Sequence, residues 1–313
     1  MATVQAFLFS TLRISTSIIF VALCSAVSQQ AGLTNMAAES MMLASALAGV
    51  IGSAVTHNLF LGLLIGAACS VAITLFICFA AFVMKVDLYL MSISMNTALM
   101  GATVYVLYAT TGQKANTANY FQSLQMPQIN IPLIKDIPFI GGIISGQNGF
   151  TYLAWIMIFV VWFLIFRTKL GLRMRAVGKN PKAAESVGIN PRKTYTIAFV
   201  FAGIIASFGG MFLSMGYQNF FIRDMTGGKG FIGMAAATIG GASPLLSAIF
   251  AYVFGFADAV TNYSKLMITD AQFLAAMPYM ITVVLIFIMA IIKNRAEEAA
   301  NKKRKMLSLQ EHK

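Results

Sequence analysis

The stretch Trp155–Lys193 reads WIMIFVVWFLIFRTKLGLRMRAVGKNPKAAESVGINPRK. Its opening part, 155–166, is apolar without a break and shows no period of two. A strand in a membrane barrel would alternate apolar and polar residues over about ten positions. Backbone in lipid must hydrogen-bond within its own segment or within a closed barrel, so 155–166 reads as the end of a membrane helix. The remainder, 167–193, carries eight bases (Arg167, Lys169, Arg173, Arg175, Lys179, Lys182, Arg192 and Lys193) against one acid, Glu185. The fold class is therefore legible at this one boundary, where lipid-soluble helix meets charged loop.

The rest of the chain repeats the pattern. The set AVILMFWYC makes up 58% of the 313 residues and DEKR only 10%, with a mean hydropathy of +0.78; soluble domains carry about 25% charged residues. Uncharged runs cover 14–38, 40–84, 88–113, 137–166, 194–222, 230–257 and 271–292. A spanning helix needs about 20 apolar residues, so most runs cross once and 40–84 crosses twice. Crossings are expected near 7–27, 34–55, 59–84, 89–110, 150–166, 195–216, 227–241, 245–263 and 273–292. The expectation is an all-α, polytopic transmembrane helix bundle of about 8–10 segments. It has one transmembrane domain, 1–292, and a basic tail, 293–313.

A net charge of +12 invites a nucleic-acid reading, but the charge is segregated. Eight of the 22 bases lie in 167–193 and seven in the tail KNRAEEAANKKRKMLSLQEHK. Basic residues gather in cytoplasmic loops, so 167–194 and the tail are expected inside, the tail as a topology anchor near anionic lipid. Four crossings between them satisfy parity. Counting backwards puts the Asn/Gln/Pro-rich segment 111–149 outside, and nine crossings put the N-terminus outside as well. The N-terminal run lacks a basic n-region, Arg13 interrupts it, and VALC has Leu23 where a lipoprotein cleavage site needs a small residue, so a retained first helix is expected. Cys24, Cys69 and Cys78 lie in apolar runs without CxxC spacing; with only His57 and His312 beside them, no metal site is expected.

Small residues recur every fourth position at Ser45/Gly49/Ser53, Gly62/Gly66 and Ala206/Gly210, a pattern that lets membrane helices approach closely. Internal packing is the favoured reading, a subunit interface the alternative. Gly240-Gly241 followed by Ser243-Pro244 reads as a helix end, a tight turn and a restart with Pro in the first turn. The run 227–241 is short for a crossing, so a re-entrant or broken helix also fits. Gly227-Gly228-Lys229-Gly230 lacks the upstream Gly and downstream Ser/Thr of a phosphate loop.

Acids within the apolar runs are few. Glu39 stands four residues after Asn35, which would place both on one helical face; a carboxylate at the bilayer centre costs about 2.5–3.5 kcal/mol on insertion scales and tends to face a cavity or a partner. A solute pathway lined by Asn35, Glu39 and Asn96 fits. So does a structural reading in which Thr34 or Asn35 caps the helix and Glu39 sits favourably in its first turn. Asp258 is expected to make a structural hydrogen bond. In the basic loop, Asn180 can cap a short helix with Pro181 in first position and Gly188 as its stop. Ala183, Ala184 and Val187 would then share one small face suited to docking in a partner's groove.

With these residues in view, the chain resembles the permease subunits of ATP-binding-cassette importers, in the branched-chain amino acid and ribose superfamily, nucleoside-type permeases most of all. The resemblance runs from about Leu12 to Ile292. It is carried by AGLTNMAAESMM (31–42), IPLIKDIPFIGGI (131–143), GLRMRAVGKNPKAAESVGIN (171–190), GGKGFIGMAAATIGGASPL (227–245) and MPYMITVVL (277–285). Lys182 stands where the importer coupling motif usually has Glu, and Ser40 where nucleoside permeases usually have Gly. The resemblance implies a subunit forming half of a solute pathway in a prokaryotic plasma membrane, for nucleosides with purine nucleosides favoured, with a coupling loop around Gly178, Asn180, Pro181, Ala183, Ala184, Glu185 and Gly188. It implies no enzymatic activity and no cofactor in this chain, since ATP would be bound by partners. Those partners would be a second homologous permease, two cytoplasmic ATPase subunits and an extracytoplasmic binding lipoprotein, with membrane lipid around them and no nucleic acid. A sugar permease of the same superfamily is the alternative; a standalone ion-coupled carrier is another, of a different class.

Overall fold

The computed structural model describes residues 2–131 and 141–264, with isolated positions between 280 and 295. The crossing expected at 273–292, the tail 293–313 and most of 131–143 lie outside the described residues. By contacts the chain divides into units 1–259 and 260–313; apart from the last turn of the final described helix, the features that follow lie in the first. In order, the elements are α1 (Ala2–Gln30), α2 (Ala38–Thr56), α3 (Leu59–Phe82), α4 (Leu88–Thr111), β1 (Gln128–Ile129), α5 (Gly141–Ile144), β2 (Gln147–Asn148), α6 (Gly149–Arg167), α7 (Lys169–Lys179), α8 (Pro181–Ser186), α9 (Pro191–Met211, continuing as a π turn over Phe212–Tyr217), α10 (Lys229–Ile239) and α11 (Pro244–Ser264). The two-residue strands pair antiparallel.

This is the all-α polytopic bundle expected from composition. Seven of the described helices are long and apolar enough to cross a membrane: α1, α2, α3, α4, α6, α9 with its π turn, and α11. The run expected to cross at 227–241 forms only α10, eleven residues long. At 1.5 Å per residue that is about 16 Å, half of a roughly 30 Å hydrocarbon core. The turn after it forms as expected, with Gly241 and Ala242 at positive φ before α11 starts at Pro244.

α1, α2 and α9 make the centre, packing Phe20, Met42, Phe199 and Phe212 out of solvent. The small residues sit in the crossings. A Cβ on Gly210 would collide with the Met42 carbonyl, and one on Gly62 would stand 2.6 Å from Ser53 Cβ. Serines close the same seams by donating to backbone carbonyls of the facing helix: Ser45 Oγ to Ser207 (3.2 Å), Ser70 Oγ to Gly203 (2.8 Å) and Ser214 Oγ to Ala46 (2.9 Å). The four-residue small patterns thus serve internal packing. In contrast, α3, α4 and α6 keep large apolar side chains such as Phe76, Tyr105 and Phe159 on the outer surface.

Most helices begin on a polar residue of their own. Asn58, Asp87, Asn148, Thr168, Asn180 and Asn190 each accept a backbone N–H in the first turn of α3, α4, α6, α7, α8 and α9. α2 and α10 are different: Ala37 and Gly228 precede them, and neither makes a side-chain cap.

The tight α2–α9 crossing makes a test. Gly210→Val is expected to lower the melting temperature of the detergent-purified chain, since overpacking costs about 1–3 kcal/mol. Gly101→Ala, where a Cβ meets nothing within 4 Å, should leave it unchanged or raise it. Equal melting temperatures for wild type and Gly210→Val would show that the seam is loose.

Candidate functional site

A helix that starts inside a bilayer leaves up to four N–H groups unpaired where no water can take them. α2 and α10 both start there. α1 ends beside the basic loop, since a Cβ on Gly178 would collide with the Gln30 carbonyl and one on Gly32 would stand 2.9 Å from Gly178 Cα. From that end the chain turns back along α1, and Asn35 Nδ2 reaches Cys24 Sγ at 3.5 Å. α10 runs beside α1 from Val21, against which Gly233 packs, to Gln29, whose Nε2 donates to Thr238 Oγ1 at 2.9 Å. Val21 is nine residues from the end of α1, and Asn96, which touches the start of α2, is eight from the start of α4. Both counts put the break about 12–14 Å in from the basic end at 1.5 Å per residue.

Here the missing caps are supplied from other elements. Glu39, in the first turn of α2, accepts from the backbone of α10: Gly228 N–H to Oε1 at 2.9 Å and Gly230 N–H to Oε2 at 2.6 Å. Asn96 of α4 serves α2 in the same way, its Oδ1 accepting from Ser40 N–H at 3.1 Å while its Nδ2 donates to the Met36 carbonyl at 2.9 Å. One carboxylate therefore lies at the positive ends of two helices. Charge-assisted hydrogen bonds contribute about 1.5–3 kcal/mol each, and a helix N-terminus up to about 2 kcal/mol in a partly buried setting. Together these offset the insertion cost of a Glu39 that is only 6% exposed.

The glycines of GGKG make this contact possible. Gly228 holds φ +76°, and a Cβ on Gly230 would lie 2.7 Å from the Glu39 nitrogen. Between them, Lys229 puts a positive charge at a helix N-terminus, an unfavourable place. Asp258 of α11 answers it, with Nζ to Oδ2 at 3.9 Å.

The three residues expected along a pathway are thus brought together, in roles the sequence did not show. Asn35 and Glu39 do not share a helical face, because α2 starts only at Ala38. Asn35 is instead buried in the preceding turn, its Oδ1 accepting from Ala37 N–H at 3.0 Å. Neither Thr34 nor Asn35 is the N-cap; Ala37 holds that position and Asn96 does the capping. Asp258, expected to make a structural hydrogen bond, forms an ion pair with Lys229.

The basic loop is more ordered than expected. Thr168 starts α7, accepting Gly171 N–H at 3.1 Å, and α7 buries Met174 and Val177 while Arg175 lies over the Phe166 ring at 5.2 Å. Asn180 Oδ1 accepts from Ala183 N–H at 3.1 Å with Pro181 in first position, as expected. At the far end Ile189 N–H bonds to the Ala184 carbonyl and Gly188 N–H to that of Glu185, a Schellman stop. The expected small face does not form: Ala184 points inward at 4% exposure, Ala183 and Glu185 are exposed, and Val187 stands 74% exposed.

Seven membrane-length helices among the described residues, two buried helix starts and a capped surface helix fit the comparison with known proteins. The family described as "Branched-chain amino acid transport system / permease component" matches residues 7–292. The chain belongs to this permease family. It is 29% identical to the guanosine ABC transporter permease protein NupQ of Bacillus subtilis over 291 residues, 88% of each chain. It is 25% identical to the nucleoside ABC transporter permease protein NupC of Lactococcus lactis, covering 91% of this permease and 92% of that one. A putative glucose ABC transporter permease protein of Haloferax volcanii, TsgC13, is 28% identical over 82% of this chain and 77% of its own. No solved structure matches the chain.

Glu39→Ala removes the acceptor from one buried N–H group, that of Gly230, and one part-buried, that of Gly228; a buried group left unpaired costs about 1–3 kcal/mol. In this permease, amide hydrogen exchange over 226–232 should speed up in Glu39→Ala and less so in Glu39→Gln, which keeps one acceptor oxygen. Unchanged exchange in Glu39→Ala would show that α10 is anchored by something else.

Proposed function

We propose that the chain is one permease subunit of an ATP-binding-cassette importer that carries nucleosides, purine nucleosides foremost, across a prokaryotic plasma membrane. The observation that carries this reading is the contact of Gly178 with Gln30 and Gly32. It joins the exposed helix α8, through α7, to the turn that leads into the break at Glu39. Discontinuous helices near mid-depth are where transporters commonly place solute sites, with helix N-termini facing the solute. A rigid connection from a surface helix to such a break is what a pump driven from outside the membrane needs.

In this reading 167–194 faces the cytoplasm. α8 docks on an ATPase subunit, and ATP is bound and hydrolysed by two such partners rather than by this chain. Ala183, Glu185 and Val187 make the contact, while Ala184 and Gly178 hold α8 to the permease. A second, homologous permease supplies the other half of the pathway, and a binding lipoprotein delivers the solute from outside. Opening the pathway would move α2 against α10, so Glu39, Asn96 and Asn35 act at its narrowest point by fixing the two helix starts. Nucleosides are favoured because NupQ and NupC match nearly the whole chain; the TsgC13 match keeps a sugar as the second reading.

Two measurements decide. Proteoliposomes holding the chain and its neighbouring transport subunits should take up labelled guanosine or adenosine only with ATP inside the compartment that contains the ATPase. Competition by glucose or ribose but not by nucleosides would establish the sugar reading. In the same system Ala183→Trp should reduce uptake and solute-stimulated ATP hydrolysis together, by about tenfold if overpacking costs 1–3 kcal/mol at the contact, without changing the melting temperature of the permease. Ala184→Trp should lower that melting temperature. Full transport by Ala183→Trp would remove α8 from the coupling path.

A further inference from the structure

α3 and α9 touch closely where Ser70 bonds to the Gly203 carbonyl and Thr74 packs on the same glycine. Towards the basic end they leave a groove of about 470 Å³. Leu75, Phe79 and Val83 form one wall and Ile197 the other, all between 41% and 64% exposed. Arg192 and Lys193, in the first turn of α9, stand at its mouth. The stack of Phe82 on Tyr195, 5.6 Å between centroids, bridges the two helices beside it.

The chemistry along this groove is graded. Leu75 to Val83 spans eight residues of helix, about 12 Å, so the apolar wall reaches well into the hydrocarbon while the two cations stay at its edge. Neither Arg192 nor Lys193 forms an ion pair among the described residues, where the one pair is Lys229–Asp258. The acid of the α3–α4 turn, Asp87, is committed to capping α4, accepting Leu90 N–H at 3.0 Å. Lys85 adds a further positive charge two residues beyond Val83. A soluble partner could meet the cations but could not follow the wall into lipid. An uncharged membrane helix could lie on the wall but would leave both cations unanswered.

We propose that this groove binds one anionic glycerophospholipid, its phosphate on Arg192 and Lys193 and an acyl chain along Leu75, Phe79 and Val83. Basic pockets between membrane helices recognise acidic headgroups in this way. Arginine offers a planar fork of donors to a phosphate and lysine a point charge. The site lies beside the loop that carries α7 and α8, so the lipid would also steady the start of α9 where that loop re-enters the membrane. This inference does not depend on the identity of the solute.

The test uses the full chain with its partner subunits in phosphatidylcholine vesicles. These contain trace phosphatidylglycerol or trace phosphatidylcholine, each with a photoactivatable group on an acyl chain, and adducts are mapped by mass spectrometry. Peptides holding 75–83 and 196–197 should be labelled by phosphatidylglycerol about thirtyfold more than by phosphatidylcholine, as expected for two basic residues each attracting an anionic lipid by about 1 kcal/mol. Arg192→Gln/Lys193→Gln should bring the two probes level there, with labelling of α4 and α6 unchanged as proof of an intact bundle. Equal labelling by both lipids in the wild type would reduce the groove to ordinary lipid boundary. Absence of label from both would show that another membrane helix covers it, and either result overturns the proposal.

Discussion

Glu39 is held by two backbone N–H groups from a segment 189 and 191 residues further along the chain, and the rest of the bundle is arranged so that this can happen. Lipid supplies no hydrogen bonds, so a helix that begins half-way across must find its acceptors in protein. α10 finds them in Glu39, and α2 finds one in Asn96. Neither solution is local. Each requires α1, α2, α4 and α10 to be in place before the polar groups are satisfied, which ties the mid-depth break to the complete fold.

Close packing makes that arrangement possible. Glycines at 49, 66 and 210 bring α2 into van der Waals contact with α3 and α9, and serines close the seams with bonds to facing carbonyls. A core built this way has little slack, so a displacement at one end moves whole helices rather than single side chains. Gly178 and Gly32 extend the same principle to the basic loop. Where their backbones meet, α7 is joined to the turn carrying Asn35, and through it to the Glu39 contact. A series of contacts thus runs from the charged surface helix to the turn before the buried carboxylate.

The outer surface follows different rules. α3, α4 and α6 carry many exposed large apolar side chains, and several cations are held by contacts of their own. Arg175 and Arg167 lie over aromatic rings, Arg13 donates to the Tyr217 carbonyl, and Lys229 is paired with Asp258. Arg192 and Lys193 have no such partner among the described residues, which is why the groove beneath them reads as a place for an acidic headgroup rather than as bare boundary.

How much of this was legible in the residues depended on the range of the interaction. Unbroken apolar runs set the helices, and the basic residues of 167–193 marked the loop. Asn180-Pro181 and Gly188 bounded α8, because hydropathy, capping and stops act within a few residues of themselves. The sequence also flagged Glu39 as costly and 227–241 as too short to cross, yet it could not join these two facts. GGKG read as a failed phosphate loop and as part of the family resemblance, not as the partner of Glu39, and Asn96 could not be seen as the cap of α2. A six-residue helix gives too little periodicity to tell Ala183 from Ala184, and only packing against the chain decides that Ala184 turns inward. Which polar group answers which in the membrane interior was decided by tertiary structure alone, since the donors and acceptors are 56 to 191 residues apart and only the packed bundle brings them within bonding distance.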